Sequence, residues 1–282
     1  MGAAHVRGVQ SKNVIACIKH YAFNQMENSR FKVSIDCDKR TEREVFLPHF
    51  KDCIDAGAAA VMSSYNLYRS IQCGHHKYLL SQVLKKEWDF DGFVMSDFIW
   101  GVKDTVEAAN GGQDIEMCCT LFFGEKLVRA VRDGFVPESR IDDAALRIVR
   151  TLLAFTEADD EEYPKEVYVG SAEHIALAEE CARKGITLLQ NRNNVLPFNK
   201  ENVKSIALIG KLAKKEVIGD WGSSRVYPAY IVTPYQGLVN LAGDKEIIYC
   251  DGSDVNEAIA AARKADAVIF VVGYDHNDEG EY

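Results

Sequence analysis

Ionisable and aromatic side chains sit at the tips of short apolar runs in this sequence. Lys19 and His20 follow the run at 14–18 (VIACI), Tyr65 and Asn66 come just after 58–62 (AAAVM), and Asp97 lies two residues past 93–95 (FVM). A carboxylate near positive charge stays ionised at neutral pH, which suits a nucleophile. Asp97, with Lys19, His20 and the loop residue Arg30 as companions, fits that description. The same cations suit sugar hydroxyls, and Tyr65, Phe98 and Trp100 offer faces for the apolar side of a pyranose ring. Glycoside hydrolysis with retention needs a second carboxyl ~5–5.5 Å from the first, acting as acid and then as base. Glu279 and Glu281, in an acidic loop past the apolar run 267–272, are the candidates. Other uses of these residues stay open. Asp at a helix entrance also serves as a cap, an acidic loop can be plain solvated surface, and Lys19 could form a Schiff base as in an aldolase.

The elements that must hold these residues can be read from hydrophobic period. Short apolar runs with polar tips alternate with helical patterns, which predicts βα units around a parallel sheet. Helices are expected at 41–56 (Thr41 as N-cap, Glu44 completing a capping box), 77–87, 102–109, 124–133 and 138–155. A carboxylate at the C-terminal end of a barrel strand lies where barrel active sites are built. Residues 114–117 are expected to end a fourth strand. Residues 156–170 are acidic, carry a proline and lack periodicity, as a linker would. Beyond them, a helix at 171–185, strands at 186–189, 205–209 and 267–272, and a helix at 255–264 suggest an open α/β sheet.

Composition narrows the partners. The 282 residues carry a net charge of -9, with no basic stripe, so a nucleic-acid partner is not expected. No run of 18 apolar residues is present, so no membrane partner is expected either. The eight cysteines form no Cys-x-x-Cys pair and no Cys/His cluster at metal spacing, so neither metal nor cofactor is predicted. Several lie inside apolar runs, which favours a reducing, cytoplasmic compartment, with a secreted or periplasmic location as the alternative. The start MGAAHVRGVQSK shows no signal-peptide pattern. Neither G-x-G-x-x-G nor G-x-x-x-x-G-K-[ST] occurs, which removes a nucleotide site.

Several segments together resemble glycoside hydrolase family 3, the β-glucosidase and β-xylosidase family. They are Lys19-His20-Tyr-Ala-Phe-Asn24, Glu27-Asn-Ser-Arg30, Lys39-Arg-Thr-Glu-Arg-Glu44, Met62-Ser-Ser-Tyr65-Asn66, Gly92-Phe-Val-Met-Ser-Asp97, Asp114-Ile-Glu-Met117, Gly185-Ile-Thr-Leu-Leu-Gln-Asn191 and Val195-Leu-Pro197. The resemblance implies a partial TIM-like (β/α) barrel over 1–155, a linker at 156–170 and a partial α/β sandwich over 171–282. It implies a retaining, exo-acting hydrolase that releases terminal β-D-glucose from a β-glucoside or oligosaccharide through a covalent glycosyl-aspartate at Asp97. Lys19, His20 and Arg30 would hold the glycone, with Tyr65 beside the nucleophile. Counting forward from Gly273 makes Glu281 the acid/base, while aligning on the Glu-Gly pair selects Glu279. A β-xylosidase, or a truncated carbohydrate-binding remnant without activity, are the alternatives. The family's N-acetylglucosaminidase branch carries Lys-His-Phe-Pro-Gly-His-Gly where this chain reads Lys19-His20-Tyr-Ala-Phe-Asn-Gln, a departure from that branch. Family barrels begin well before the Lys-His pair and their second domains continue further, so the chain is expected to be an internal fragment, inactive or weakly folded when expressed alone. Oligomeric state is not readable from the sequence.

Overall fold

Apolar runs too short to bury themselves alone lie side by side. In the computed structural model, which describes residues 1–156, 169–219 and 222–278, the chain forms two compact units, Met1–Glu161 and Glu162–Tyr282. The first unit holds β1 (Cys17–Tyr21), β2 (Ser34–Ile35), β3 (Ala60–Ser63), β4 (Leu67–Tyr68), β5 (Ile71–Gln72) and β6 (Phe93–Met95). Strands β1, β3 and β6 form a parallel sheet in that order, with Ile18 opposite Val61 and Val61 opposite Val94. Strands β2, β4 and β5 make a separate small sheet. Between β3 and β6 runs the helix Tyr78–Glu87. Its Leu79, Leu80, Val83 and Leu84 are fully buried in one cluster with Val61 and Val94. Before β3 the helix Pro48–Asp55 presents Phe50, whose ring stands edge-on to Tyr21 at 5.1 Å. Strand, helix and strand thus alternate in the α/β manner of a partial (β/α) barrel. No closed barrel forms among the described residues.

Several boundaries depart from the sequence-based expectation. Strand β1 starts at Cys17 rather than Val14, so Lys19 and His20 lie within the strand instead of beyond its end. The cause is Gln10, whose side-chain oxygen accepts from Ala16 N at 3.3 Å and Ala59 N at 3.0 Å and ties the approaches to β1 and β3 together. The helix expected over 41–56 is capped by Asp38, which accepts from Thr41 N at 2.8 Å. It then widens into a π-type turn at Glu42–Phe46 and restarts at Pro48. Pro48 has no N–H to give to the preceding turn, so a single helix cannot run through it. The fourth strand reduces to one bridge, Met95 to Ile115. There the Asp114 carboxylate takes Val94 N at 2.7 Å, and the Glu116 carboxylate takes Phe122 N and Phe123 N at 2.9 and 2.7 Å, which turns the chain away.

The second unit is built on β7 (Ser205–Ile209), β8 (Glu246–Cys250) and β9 (Ala267–Phe270), all parallel, in the order β8-β7-β9. The helix Val255–Lys264, capped by Asp254, closes over Ala207, Ile209 and Cys250 through Ala261. Residues 186–189 are not a strand: Ile186, Leu188 and Leu189 are exposed and pair with no strand among the described residues. An apolar run without a neighbour to pair with stays irregular. The helix expected at 171–185 forms over Ala172–Gly185, with Ser171 as its cap, while most of the 156–170 linker lies outside the described residues.

Candidate active site

Strand β6 delivers Asp97 to the first unit's site, and the chain beyond the strand fixes it there. Ser96 N donates to Ile115 O at 3.0 Å and the Ser96 hydroxyl accepts from Met117 N at 2.9 Å, so the strand end is clamped on its flank. The Asp97 side chain is 11% exposed, enough to reach solvent from a largely desolvated position. One carboxylate oxygen accepts from Phe98 N at 2.7 Å, and the other lies 3.4 Å from His20 Nε2.

The backbone around it is crowded. A Cβ at Gly101 would lie 2.4 Å from Asp97 O, and one at Gly74 would lie 2.4 Å from Gly101 O. These glycines let three chain segments touch where any side chain would push them apart. Gly101 also heads a loop held by His75, whose Nε2 accepts from Lys103 N at 3.0 Å.

Arg30 is buried, its guanidinium 5.0 Å from the centres of both the Phe31 and Tyr65 rings and bonded to Glu27 at 2.5 Å. Tyr65 donates its hydroxyl to Phe98 O at 2.6 Å, which links the Arg30 side of the site to the residue after Asp97. Phe98 and Trp100 are about half exposed, at 44% and 54%. The Trp100 ring meets Phe31 edge-to-face at 5.4 Å.

The sequence-selected residues therefore divide. His20 and Phe98 touch Asp97 directly, while Arg30, Tyr65 and Trp100 form a cluster around Phe31 that joins Phe98 through the Tyr65 hydroxyl. Lys19 is exposed on β1 and forms no ion pair with Asp97 among the described residues, so His20 is the partner seen in contact. Lys19 and Asp97 both act on Cys17: burial pushes its thiol up to about 11, Lys19 opposes the rise and Asp97 adds to it. Glu279 and Glu281 lie outside the described residues. Glu27, Phe31, Gly74 and Gly101 were not singled out as site-forming. The spacing of Glu27 and Arg30, one helical turn apart, was the available signal for that pair; nothing local announces the two glycines. Among the described residues no three His, Cys, Asp or Glu side chains converge as metal ligands, and the cysteines there are free thiols.

Comparison with known proteins places the chain beside one family. Residues 1–151 match the family model described as "Glycosyl hydrolase family 3 N terminal domain", and residues 186–282 match "Glycosyl hydrolase family 3 C-terminal domain". A "Thermostable beta-glucosidase B" of Acetivibrio thermocellus is 35% identical over 297 aligned residues, covering 100% of this chain and 38% of that protein. A crystal structure of a β-glucosidase from Chaetomella raphigera superposes with a TM-score of 0.82 at 29% identity, over 97% of this chain and 42% of the other. A β-glucosidase from Streptomyces venezuelae, solved in complex with D-glucose, superposes at 0.75 with 32% identity, over 89% and 34% of the two chains. The chain thus spans well under half the length of the relatives it matches.

Proposed function

This chain belongs to glycosyl hydrolase family 3, and from that premise we propose that the protein is an exo-acting β-glucosidase that works with retention through a glycosyl-Asp97 intermediate. Asp97 attacks the anomeric carbon as the bond to the leaving oxygen breaks, and a glutamate, Glu281 ahead of Glu279, gives that oxygen its proton. Water then attacks the same carbon, the glutamate takes the water's proton, and Asp97 leaves as a carboxylate. His20 and Arg30 hold glycone hydroxyls, Lys19 is available from the exposed side of β1, and Tyr65, Phe98 and Trp100 supply the apolar walls. The single observation that carries this reading is the Asp97 carboxylate, held at a strand end by Phe98 N and faced by His20 at 3.4 Å. Glucose as the released sugar is supported by the β-glucosidase names of the relatives and by the glucose bound in one solved neighbour. The domain assignment, 1–155 as barrel and 171–282 as sandwich, belongs to the same proposal.

The test is turnover of p-nitrophenyl β-D-glucoside by the protein at its native length. Replacing a nucleophile typically removes most of the rate, so Asp97→Ala is expected to lower kcat by at least about 10³-fold while folding normally. Retained turnover in that variant would remove Asp97 from the mechanism. A kcat/KM higher for the β-xyloside than for the β-glucoside would replace glucosidase with xylosidase.

A further inference from the structure

We infer that Asp275 is a positioning residue for the acid/base loop, pinning the start of that loop to the chain segment that leaves β7; this rests on the assignment of Glu281 or Glu279 as the acid/base. The loop leaves β9 toward those glutamates, and Asp275 sits in it only a few residues earlier. Its side chain is 2% exposed, which is unusual for a carboxylate in a polar loop and calls for partners. It has them: Lys215 Nζ at 2.6 Å and Lys211 Nζ at 3.4 Å. The lysines hold its carboxyl well below the usual carboxylate range, Lys215 first and the Asn277 backbone next.

The loop is also locked within itself. Asp275 accepts from the Asn277 backbone N at 2.9 Å and its side-chain amide at 3.1 Å. Asp275 N donates to the Asp278 carboxylate at 3.0 Å, and Asp278 N returns a bond to Asp275 O at 2.9 Å. Asp278 in turn faces Lys211 at 3.7 Å. On the other side, the lysines are delivered by a turn that only glycine allows. Gly210 has φ +128°, and a Cβ there would lie 2.2 Å from Val271 O at the end of β9. Lys214, between the two, points elsewhere, with its ammonium 4.0–4.2 Å from the Tyr249 and Tyr235 rings. The segment after β7 therefore sorts its lysines, sending two to Asp275 and one to the aromatics. A clamp this elaborate on a loop of otherwise polar residues has a use when the residues just beyond it must be placed to within about an ångström, the scale on which general acids lose rate.

In kcat/KM, which reports the first, glycosylating step, loss of acid positioning slows the substrates whose leaving group needs a proton; the shared second step, where the glutamate acts as base, does not enter it. The experiment compares phenyl β-D-glucoside, a poor leaving group, with 2,4-dinitrophenyl β-D-glucoside, which departs unprotonated, using the protein at its native length. Asp275→Ala is expected to lower kcat/KM for the phenyl substrate by about 10–100-fold, within the range that general acid catalysis supplies, and to change the dinitrophenyl substrate less than about 3-fold. Asp275→Glu should recover part of the loss. If Asp275→Ala does not fold, Lys215→Met, which removes the nearer partner from outside the loop, is expected to show the same selectivity. Equal loss on both substrates, or no loss on either, while Asp97→Ala remains inactive, overturns the role of Asp275 alone. Dinitrophenyl turnover that survives Asp97→Ala overturns the parent reading instead.

Discussion

Asp97 owes its position to atoms that are not themselves chemical participants. The Phe98 amide and His20 hold the carboxylate, while the absence of a side chain at Gly101 lets the next loop close against the Asp97 backbone. A methyl group at Gly101 meets backbone, which cannot swing aside as a side-chain tip can. Gly101→Ala is therefore expected to lower kcat at least about 10-fold, with a stability loss of about 1–3 kcal/mol, the usual cost of overpacking. Steady-state kinetics and a denaturant titration of the same preparation check both numbers. At this scale the sequence announced the chemistry better than its support. A carboxylate just past an apolar run is visible in one dimension, because strand ends are; His20 was visible too, although it lies within β1 rather than at its end. The contacts of Gly74 and Gly101 join residues distant in sequence, and glycine spacing carries no record of them.

The elements are tied by charge as well as by apolar packing. Asp114 has a fully buried carboxylate that accepts from Val94 N, pairs with Lys85 at 2.6 Å and is met by Arg140. It thereby joins β6 to the helices Tyr78–Glu87 and Glu138–Thr156. Burial pushes Lys85 down to about 8, against the pull of Asp114. Taking one partner out of a buried ion pair leaves the other charged and uncompensated, typically at about 3–5 kcal/mol. Asp114→Asn keeps the shape and removes the charge, so it should destabilise the protein by about 3 kcal/mol, read as a lower urea midpoint with unchanged slope. The parallel strands and most helices were legible because their periods differ. The break at Leu47 and the slide of β1 were not. The first follows from Pro48 withholding an N–H, the second from the Gln10 side chain tying together two strand approaches far apart in sequence.

For the whole molecule, pH acts through histidines placed to be neutral. His75 and His76 are buried, and burial is the largest influence holding each below its ordinary value of 6.5, even against Glu107 beside His75. Each also accepts a backbone N–H, His75 from Lys103 and His76 from Leu79, which a protonated ring nitrogen cannot do. With folded values below unfolded ones, the unfolded chain binds more protons as pH falls through 6.5. Stability is then full above that value and lost progressively below it. Melting temperatures measured from pH 8 to 5 should fall below about pH 6.5, and His75→Gln should flatten that fall; a slope unchanged by the substitution would remove His75 from the account.

The most direct measurement is mass-spectrometric peptide mapping after incubation with 2,4-dinitrophenyl 2-deoxy-2-fluoro-β-D-glucoside, which traps a glycosyl-enzyme where attack occurs. The account predicts time-dependent inactivation of the protein at its native length and a single fluoroglucosyl adduct on Asp97. An adduct on another carboxylate, or turnover of β-glucosides that this reagent leaves unlabelled, would contradict it.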